Sequence, residues 1–161
     1  MADFKEKYGP WAIVAGAAEG LGKSYCCQLA KRGINLIMVD FQEEPLSLLA
    51  SELEKEYNIK TKKIISDLST KDSWQVIAKE SDTLDFGLLV YNAACSIVKP
   101  FLDQDHKDIN CHISTNNLAL THIAMWFAKR LKNKRPGGIL IMSSLAGFYG
   151  TQFVPIYSAS K

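Results

Sequence analysis

The sequence predicts a doubly wound α/β fold, in which helices cover both faces of a parallel sheet. Short apolar runs alternate along the chain with longer segments whose apolar residues recur at helical spacing. Strands and helices that alternate in this way form βαβ units, whose strands lie parallel. The right-handed crossover of such units leaves few alternative topologies.

Five strands are predicted where a short apolar run is bounded by glycine, proline or polar residues. The first run ends at the first glycine of a glycine-rich loop, and the second ends at Asp40. Runs that are apolar without alternation are typical of strands buried on both faces. The predicted strands cover residues 12–15, 35–39, 62–65, 86–91 and 138–143.

Four helices are predicted between these strands. Gly33 supplies a stop for the first, and the second is amphipathic, with leucines on one face and Glu or Lys on the other. The fourth is long, ends before Pro136 and is apolar on more than one side, so one side is expected in the core. The predicted helices cover residues 20–32, 45–57, 72–80 and 108–132.

The composition excludes several classes of protein. The 161 residues are 47% hydrophobic, which argues against disorder and suits one domain. The net charge of +2 is too small to indicate nucleic-acid or polybasic membrane binding. Apolar runs are far shorter than the ~18 residues that cross a bilayer, and no signal peptide is evident. We expect a cytoplasmic protein with free thiols at Cys26, Cys27, Cys95 and Cys111.

A glycine-rich loop lies between the first strand and the first helix. Gly16, Gly20 and Gly22 form the pattern G-x-x-x-G-x-G. Glycine allows the backbone to bend sharply and to approach a pyrophosphate, and a helix N-terminus offers free N–H groups to phosphates. The loop therefore predicts a phosphate-binding turn, and the alternative is a tight turn against a closely packed helix.

Two acidic residues near this loop bear on the choice of cofactor. Asp40, at the end of the second strand, can accept hydrogen bonds from both hydroxyls of an adenosine ribose, and it would repel a 2′-phosphate. Glu19 adds a second negative charge, and no Lys or Arg follows Asp40 directly. We therefore expect NAD rather than NADP. The alternative is a solvated carboxylate. Asp67, after the third strand, is a weaker candidate for the adenine edge.

A second cluster of polar residues follows the fifth strand. Tyr157 and Lys161 are four residues apart, which places both on one face of a helix. An ammonium beside a phenol favours the phenolate, which can exchange protons with a bound alcohol. The Ser144 hydroxyl can hydrogen-bond a substrate carbonyl from the same sheet edge. Alternatively, Ser144 or Ser143 caps a turn.

The order of these residues resembles the classical short-chain dehydrogenase/reductase family from residue 11 to the end of the chain. The residues that carry the resemblance are Gly16, Gly20, Gly22, Asp67-Leu68, Asn92-Ala93-Ala94, Asn116, Ser144, Tyr157 and Lys161. The resemblance implies one NAD-binding Rossmann domain over residues 1–161, and oxidoreduction of a small-molecule alcohol or carbonyl compound. It also implies a homo-oligomer that packs through the long helix. The expected cofactor-binding residues are Gly16, Glu19, Gly20, Leu21, Gly22, Asp40, Asp67, Leu68, Asn92, Ala93, Tyr157 and Lys161.

The resemblance also implies a role for each catalytic candidate. Tyr157 is the acid/base, Lys161 favours its ionised form and holds the ribose, and Ser144 orients the carbonyl. Asn116 holds a water that relays protons from Lys161, and Asn92 braces the central strands. The sequence departs from the family where Ala15 replaces threonine and where Tyr91 and Ala94 replace Asn and Gly. The first change removes a hydroxyl that stabilises the loop, and the others change packing under the nicotinamide.

Members of this family continue beyond the catalytic lysine, whereas this sequence ends at Lys161. We therefore expect an N-terminal portion with an incomplete C-terminal sheet edge, an exposed fifth strand and no activity by itself. Two alternatives remain: a non-catalytic nucleotide-binding relative, and a Rossmann-type methyltransferase, in which the Tyr157 and Lys161 pair has no role. No metal site is expected, because His106, His112 and His122 lack metal-ligand spacing and are expected to be solvated or partly packed.

Overall fold

The computed structural model describes residues 4–132, 134 and 136–161. The predicted domain also includes residues 1–3, 133 and 135, which lie outside the described residues. Five parallel strands form one sheet in the order β3-β2-β1-β4-β5, which confirms the predicted doubly wound, Rossmann-type fold. The strands are β1 (Trp11–Ala15), β2 (Asn35–Asp40), β3 (Thr61–Ile65), β4 (Phe86–Tyr91) and β5 (Gly138–Ile141).

Seven α-helices accompany the sheet within the described residues, together with short 3₁₀ turns at Phe101–Asp103 and Leu145–Gly147. The N-terminal helix, which the sequence analysis did not predict, is short and has no buried residue. No helix within the described ranges is long and apolar enough to span a bilayer. The helices are α1 (Phe4–Tyr8), α2 (Gly20–Ala30), α3 (Glu43–Tyr57), α4 (Ser73–Ser81), α5 (His106–Ile113), α6 (Leu120–Leu131) and α7 (Pro155–Ala159).

The core has two layers, one on each face of the sheet. Successive residues of a strand point to opposite faces, so Val14 packs in one layer and Ile13 in the other. Residues of α2 and α3 fill the first layer, and those of α4 and α6 fill the second. Both faces of β1 are therefore dry, which explains why its sequence is apolar without alternation.

The prediction of one continuous helix over residues 108–132 is wrong, because the helix is interrupted. It consists of α5, a π-helical turn at Ser114–Ala119, and α6. The Tyr91 hydroxyl donates to the Thr115 carbonyl oxygen at 2.6 Å, which competes with the regular helical hydrogen bond and explains the wider turn. The helix also begins at His106, because the Asp105 side chain caps it.

The ends of other elements differ from the predictions by one or two residues. The second predicted helix begins at Glu43 instead of Pro45, and the fifth strand ends at Ile141 instead of residue 143. β5 is an edge strand with Ile139 41% and Ile141 50% exposed. The predicted open sheet edge is therefore present beside β5.

Candidate active site

A cleft of about 570 Å³ opens at the carboxyl ends of β1, β2 and β4. This is the position at which ligands bind in open α/β sheets. All the predicted cofactor-binding residues except Gly22, Tyr157 and Lys161 line it. Its lining residues are Gly16, Glu19, Gly20, Leu21, Asp40, Phe41, Gln42, Ser66, Asp67, Leu68, Ser69, Asn92, Ala93, Ala94, Cys95, Cys111 and Thr115.

The glycine loop is shaped by contacts that no larger residue would allow. Gly16 has φ of +76°, and a Cβ there would lie 2.7 Å from the backbone of Ala93. A Cβ on Gly22 would lie 1.7 Å from the Gly16 carbonyl oxygen. The N-terminus of α2 has no side-chain cap, so its N–H groups are available to an anion in the cleft. The loop thus combines the predicted tight turn and close packing with an open helix end that suits a pyrophosphate.

Asp40 is held firmly at the end of β2. Its two carboxylate oxygens accept hydrogen bonds from the backbone N–H of Ala18 at 2.9 Å and of Gln42 at 3.1 Å. Only 7% of the residue is exposed, so the alternative of a solvated carboxylate is wrong. Glu19 and Asp67 are exposed beside the same cleft. This end of the cleft therefore carries three acidic residues.

Asn92 joins the end of β4 to the glycine loop. Its side-chain amide donates to the Gly16 carbonyl oxygen at 3.0 Å, and the backbone N–H groups of Asn92 and Ala93 donate to Ala15. These bonds hold the loop at the position where Ala15 replaces the family's threonine. These bonds connect the ends of β1 and β4, and the bracing role of Asn92 beside a cofactor stays a prediction.

Lys161 and Tyr157 lie beside the carboxyl end of β5. The Lys161 ammonium donates to the Met142 carbonyl oxygen at 3.0 Å and lies 5.8 Å from the centre of the Tyr157 ring. Burial lowers the pKa of Lys161. The Ser144 hydroxyl oxygen accepts from the Ala146 N–H at 3.1 Å, so Ser144 does cap a turn. That turn packs against α7, which brings Ser144 to the same region as Tyr157.

Asn116 connects the cleft to this second region. Its side-chain oxygen accepts from the Cys95 N–H at 2.9 Å, and its amide nitrogen donates to the Cys95 carbonyl oxygen and to the Ser160 hydroxyl. The residue is 2% exposed and lies in the π-helical turn. The side chain therefore ties the loop after β4 to α7. The predicted relay water on this residue stays a prediction.

The sequence analysis missed the role of His112, which is fully buried instead of solvated or partly packed. Its Nδ1 lies 2.7 Å from the Asp108 carbonyl oxygen, and its Nε2 accepts from the Ile97 N–H. Asp108 in turn forms an ion pair with Lys99 at 2.9 Å, which lowers the pKa of Asp108 and raises that of Lys99.

The loop after β4 therefore forms hydrogen bonds to one face of the helix through Cys95, Ile97 and Lys99. Its partners Asp108, His112 and Asn116 follow one another at intervals of four residues, which places them on that face. This four-residue spacing is the feature of the sequence from which a shared role for these three residues could have been predicted. Within the described residues, no group of three or more potential metal ligands occurs.

The sheet order and the cleft at its carboxyl edge define a Rossmann-type nucleotide-binding protein. The short chain dehydrogenase family matches residues 10–161. The chain belongs to this family of oxidoreductases, which confirms the resemblance seen in the sequence.

Curated relatives in this family include very-long-chain 3-oxoacyl-CoA reductases. The chain is 35% identical to a very-long-chain 3-oxoacyl-CoA reductase of Meyerozyma guilliermondii, in an alignment that covers all of this chain and 50% of the relative. It is 32% identical to the enzyme of that name from Bos taurus, over 95% of this chain and 50% of the relative. The chain therefore spans about half the length of these relatives.

Solved structures share the fold closely. A 7β-hydroxysteroid dehydrogenase superposes with a TM-score of 0.94 at 26% identity, over 98% of this chain and 63% of that one. A bulky-bulky ketone specific alcohol dehydrogenase from Comamonas testosteroni gives 0.89 at 29% identity, over 94% and 61%. A short-chain dehydrogenase from Sphingobium yanoikuyae, in complex with NADPH, gives 0.89 at 27% identity, over 94% and 60%.

Proposed function

We propose that the protein is an NAD(H)-dependent oxidoreductase that interconverts an alcohol and a carbonyl compound by hydride transfer. The observation that carries the proposal is the link made by Asn116, which joins the wall of the nucleotide cleft to the helix that bears Tyr157. A dinucleotide long enough to reach from Asp40 toward β5 would place its reactive end beside this helix. A methyltransferase would have no use for such a pair of sites.

The residues of the cleft suit a dinucleotide without a 2′-phosphate. The uncapped N-terminus of α2 would hold the pyrophosphate, and the bend at Gly16 would let the backbone approach it. Asp40 would accept the ribose hydroxyls, and its charge would repel a 2′-phosphate. When bound, the nicotinamide group supplies or accepts the hydride.

The residues beside β5 suit the proton transfer. The Lys161 ammonium near the Tyr157 ring would stabilise the phenolate that forms when the tyrosine gives its proton to a carbonyl oxygen. Ser144 uses its oxygen to cap the turn, so its O–H remains able to donate to the same substrate oxygen. Together these groups would orient the carbonyl and neutralise the charge that develops on it.

We also propose that the substrate carries a bulky apolar group. Leu145, Phe148 and Tyr149 follow Ser144 and are 75% to 81% exposed, so they could form an apolar wall beside the reacting carbon. The names of similar proteins support a bulky substrate, since they specify very-long-chain 3-oxoacyl-CoA and bulky ketone substrates.

The cofactor is tested by fluorescence titration of the purified protein with NADH and NADPH. We expect NADH to bind more tightly by roughly tenfold or more, because the 2′-phosphate would meet the fixed charge of Asp40. Asp40→Asn should narrow this difference. Tighter binding of NADPH would refute the cofactor assignment, and no binding of either would refute the class of reaction.

The acid/base role is tested by turnover of a bulky ketone with NADH in the protein extended by the downstream sequence that the sequence analysis expects, and every kcat below refers to this longer protein. Tyr157→Phe should lower kcat by roughly 100-fold or more, since it removes the proton donor. Tyr57→Phe, at the far end of α3, is the matched control and should leave kcat unchanged. Nucleotide binding without turnover by the extended, otherwise unaltered protein would favour the non-catalytic alternative.

A further inference from the structure

Two thiols lie together on the wall of the cleft. Cys95 belongs to the loop after β4 and Cys111 to α5, and both are half-buried cleft-lining residues. They line the same wall of the cleft and lie near enough to influence each other's ionisation. The remaining cysteines, Cys26 and Cys27, are on α2 and pack in the core layer formed with α3. The proposed hydride transfer uses neither Cys95 nor Cys111.

The backbone around this pair is held on both sides. The Asn116 side chain binds the N–H and the carbonyl oxygen of Cys95, and His112 accepts from the N–H of Ile97. Because His112 follows Cys111 directly on α5, these contacts fix the loop against the helix turn that carries the second thiol. Once one of two thiols held in this way carries a mixed disulfide, the other attacks it far faster than a thiol in solution does.

We propose that Cys95 and Cys111 are a modification site, at which a low-molecular-weight disulfide such as glutathione disulfide oxidises the pair to an intramolecular disulfide inside the cleft. We also propose that a dinucleotide bound in the cleft slows this reaction, because it would cover the same wall. This second part rests on the proposed function.

The exchange begins at Cys111. Burial, the interaction with Cys111 and the nearby carboxylates of Asp108 and Asp67 raise the pKa of Cys95 to about 12, which disfavours Cys95 as the first nucleophile. The Cys111 thiolate attacks one sulfur of glutathione disulfide, whose S–S bond breaks, and one glutathione thiolate leaves and takes up a proton.

The second step closes the protein disulfide. Cys95 loses its proton to solvent and attacks the Cys111 sulfur of the mixed disulfide, and the second glutathione leaves as a thiolate that is protonated. The two protein thiols lose two electrons and two protons, and one glutathione disulfide becomes two glutathione thiols. In the product the two sulfurs lie at a bonded distance of about 2 Å.

The chemical part is tested by intact mass spectrometry of the reduced protein after treatment with glutathione disulfide. The unaltered protein and the control Cys27→Ser should each lose the mass of two hydrogens, and a non-reducing peptide map should join the peptides of Cys95 and Cys111. Cys95→Ser should instead keep one glutathione on Cys111. A disulfide with other partners, or no disulfide in the unaltered protein, would overturn the proposal.

The nucleotide part is tested by the rate of disulfide formation with and without saturating NAD. We expect the rate to fall by roughly tenfold or more when the cleft is filled. Binding of NAD is measured separately, by equilibrium dialysis with the reduced, unaltered protein. NAD binding with no change in the rate of disulfide formation would overturn the proposal that bound nucleotide protects the thiols. Absence of NAD binding would overturn both the protection by nucleotide and the proposed function. The proposal that Cys95 and Cys111 form a disulfide would not be affected, because it is tested separately by the loss of two hydrogens.

Discussion

The two sides of the candidate site are built differently. On the nucleotide side, all of β2 after its first residue is buried, and backbone groups and glycines shape the cleft. On the catalytic side, β5 is a half-exposed edge strand, and of the residues that follow it only Ser160 is buried. A few side-chain contacts such as that between Lys161 and Met142 hold the catalytic side.

The nucleotide side depends on residues close together in the sequence, whereas the catalytic side depends on contacts between residues far apart in the sequence. The glycine loop needs only small residues at three nearby positions and the strands on either side of it. The catalytic helix depends on Asn116, whose partner Ser160 is 44 positions away in the chain. We therefore expect substitutions on the nucleotide side to affect folding and binding together, and those on the catalytic side to affect alignment more than stability.

The strongest test of this comparison uses the same substitution in two strands. Ile37→Ala in β2 removes a fully buried side chain and should lower the free energy of unfolding by about 2–5 kcal/mol. Ile141→Ala in β5 removes a side chain that is 50% exposed and should cost about 1 kcal/mol or less. Urea unfolding measures both variants. Equal losses would contradict the distinction between the two sides.

The second test addresses the glycine loop. Gly22→Ala would place a Cβ 1.7 Å from the Gly16 carbonyl oxygen and 2.9 Å from the Asn92 amide nitrogen. Overpacking of this kind should cost about 1–3 kcal/mol of stability, and displacement of the loop should weaken NADH binding. Gly150→Ala is the control, because nothing lies within 4 Å of its added Cβ. Unchanged NADH affinity in Gly22→Ala would show that the loop does not hold the phosphates.

The same contrast explains how much the sequence could predict. The order of strands and helices and the glycine loop follow from local apolar spacing and from residues close together in the chain, and the structure agrees with both. The π-helical turn follows instead from the hydroxyl of Tyr91 reaching Thr115 across the core. The burial of His112 similarly depends on the loop that carries Ile97. Periodicity along a helix contains no information about a partner on another element.

The third test concerns alignment of the catalytic helix. Ser160 accepts from the Asn116 amide and donates to the Tyr157 carbonyl oxygen, so Ser160→Ala removes both bonds. We expect a loss of about 0.5–1.5 kcal/mol of stability together with a lower kcat at unchanged NADH affinity. Ser158→Ala is the matched control on the same helix, since the buried Ser158 hydroxyl has no hydrogen-bond partner among the described residues. If Ser158→Ala lowers kcat as much, the Asn116 contact is not what aligns Tyr157.

The smallest expected effect lies in the ion pair that fastens the loop after β4. The hydrogen bond from Lys99 and that from the Asp105 N–H lower the pKa of Asp108 below its usual 3.8. The folded state therefore holds this carboxylate ionised more strongly than the unfolded state does. The stability that Asp108 contributes is present above about pH 4 and is lost as the pH falls through its lowered pKa.

Asp108→Asn should accordingly lower stability near neutral pH, and its difference from the unaltered protein should shrink on the acid side. Urea unfolding at about pH 6 and about pH 3 measures this difference. Lys99→Met should reproduce most of the same pH dependence, because the Lys99 hydrogen bond is the largest cause of the shift. Added salt should reduce the effect in the unaltered protein, since the pair is partly exposed. If the stability difference between Asp108→Asn and the unaltered protein grew toward acid pH, the ionised Asp108 carboxylate would not be the group that stabilises this loop.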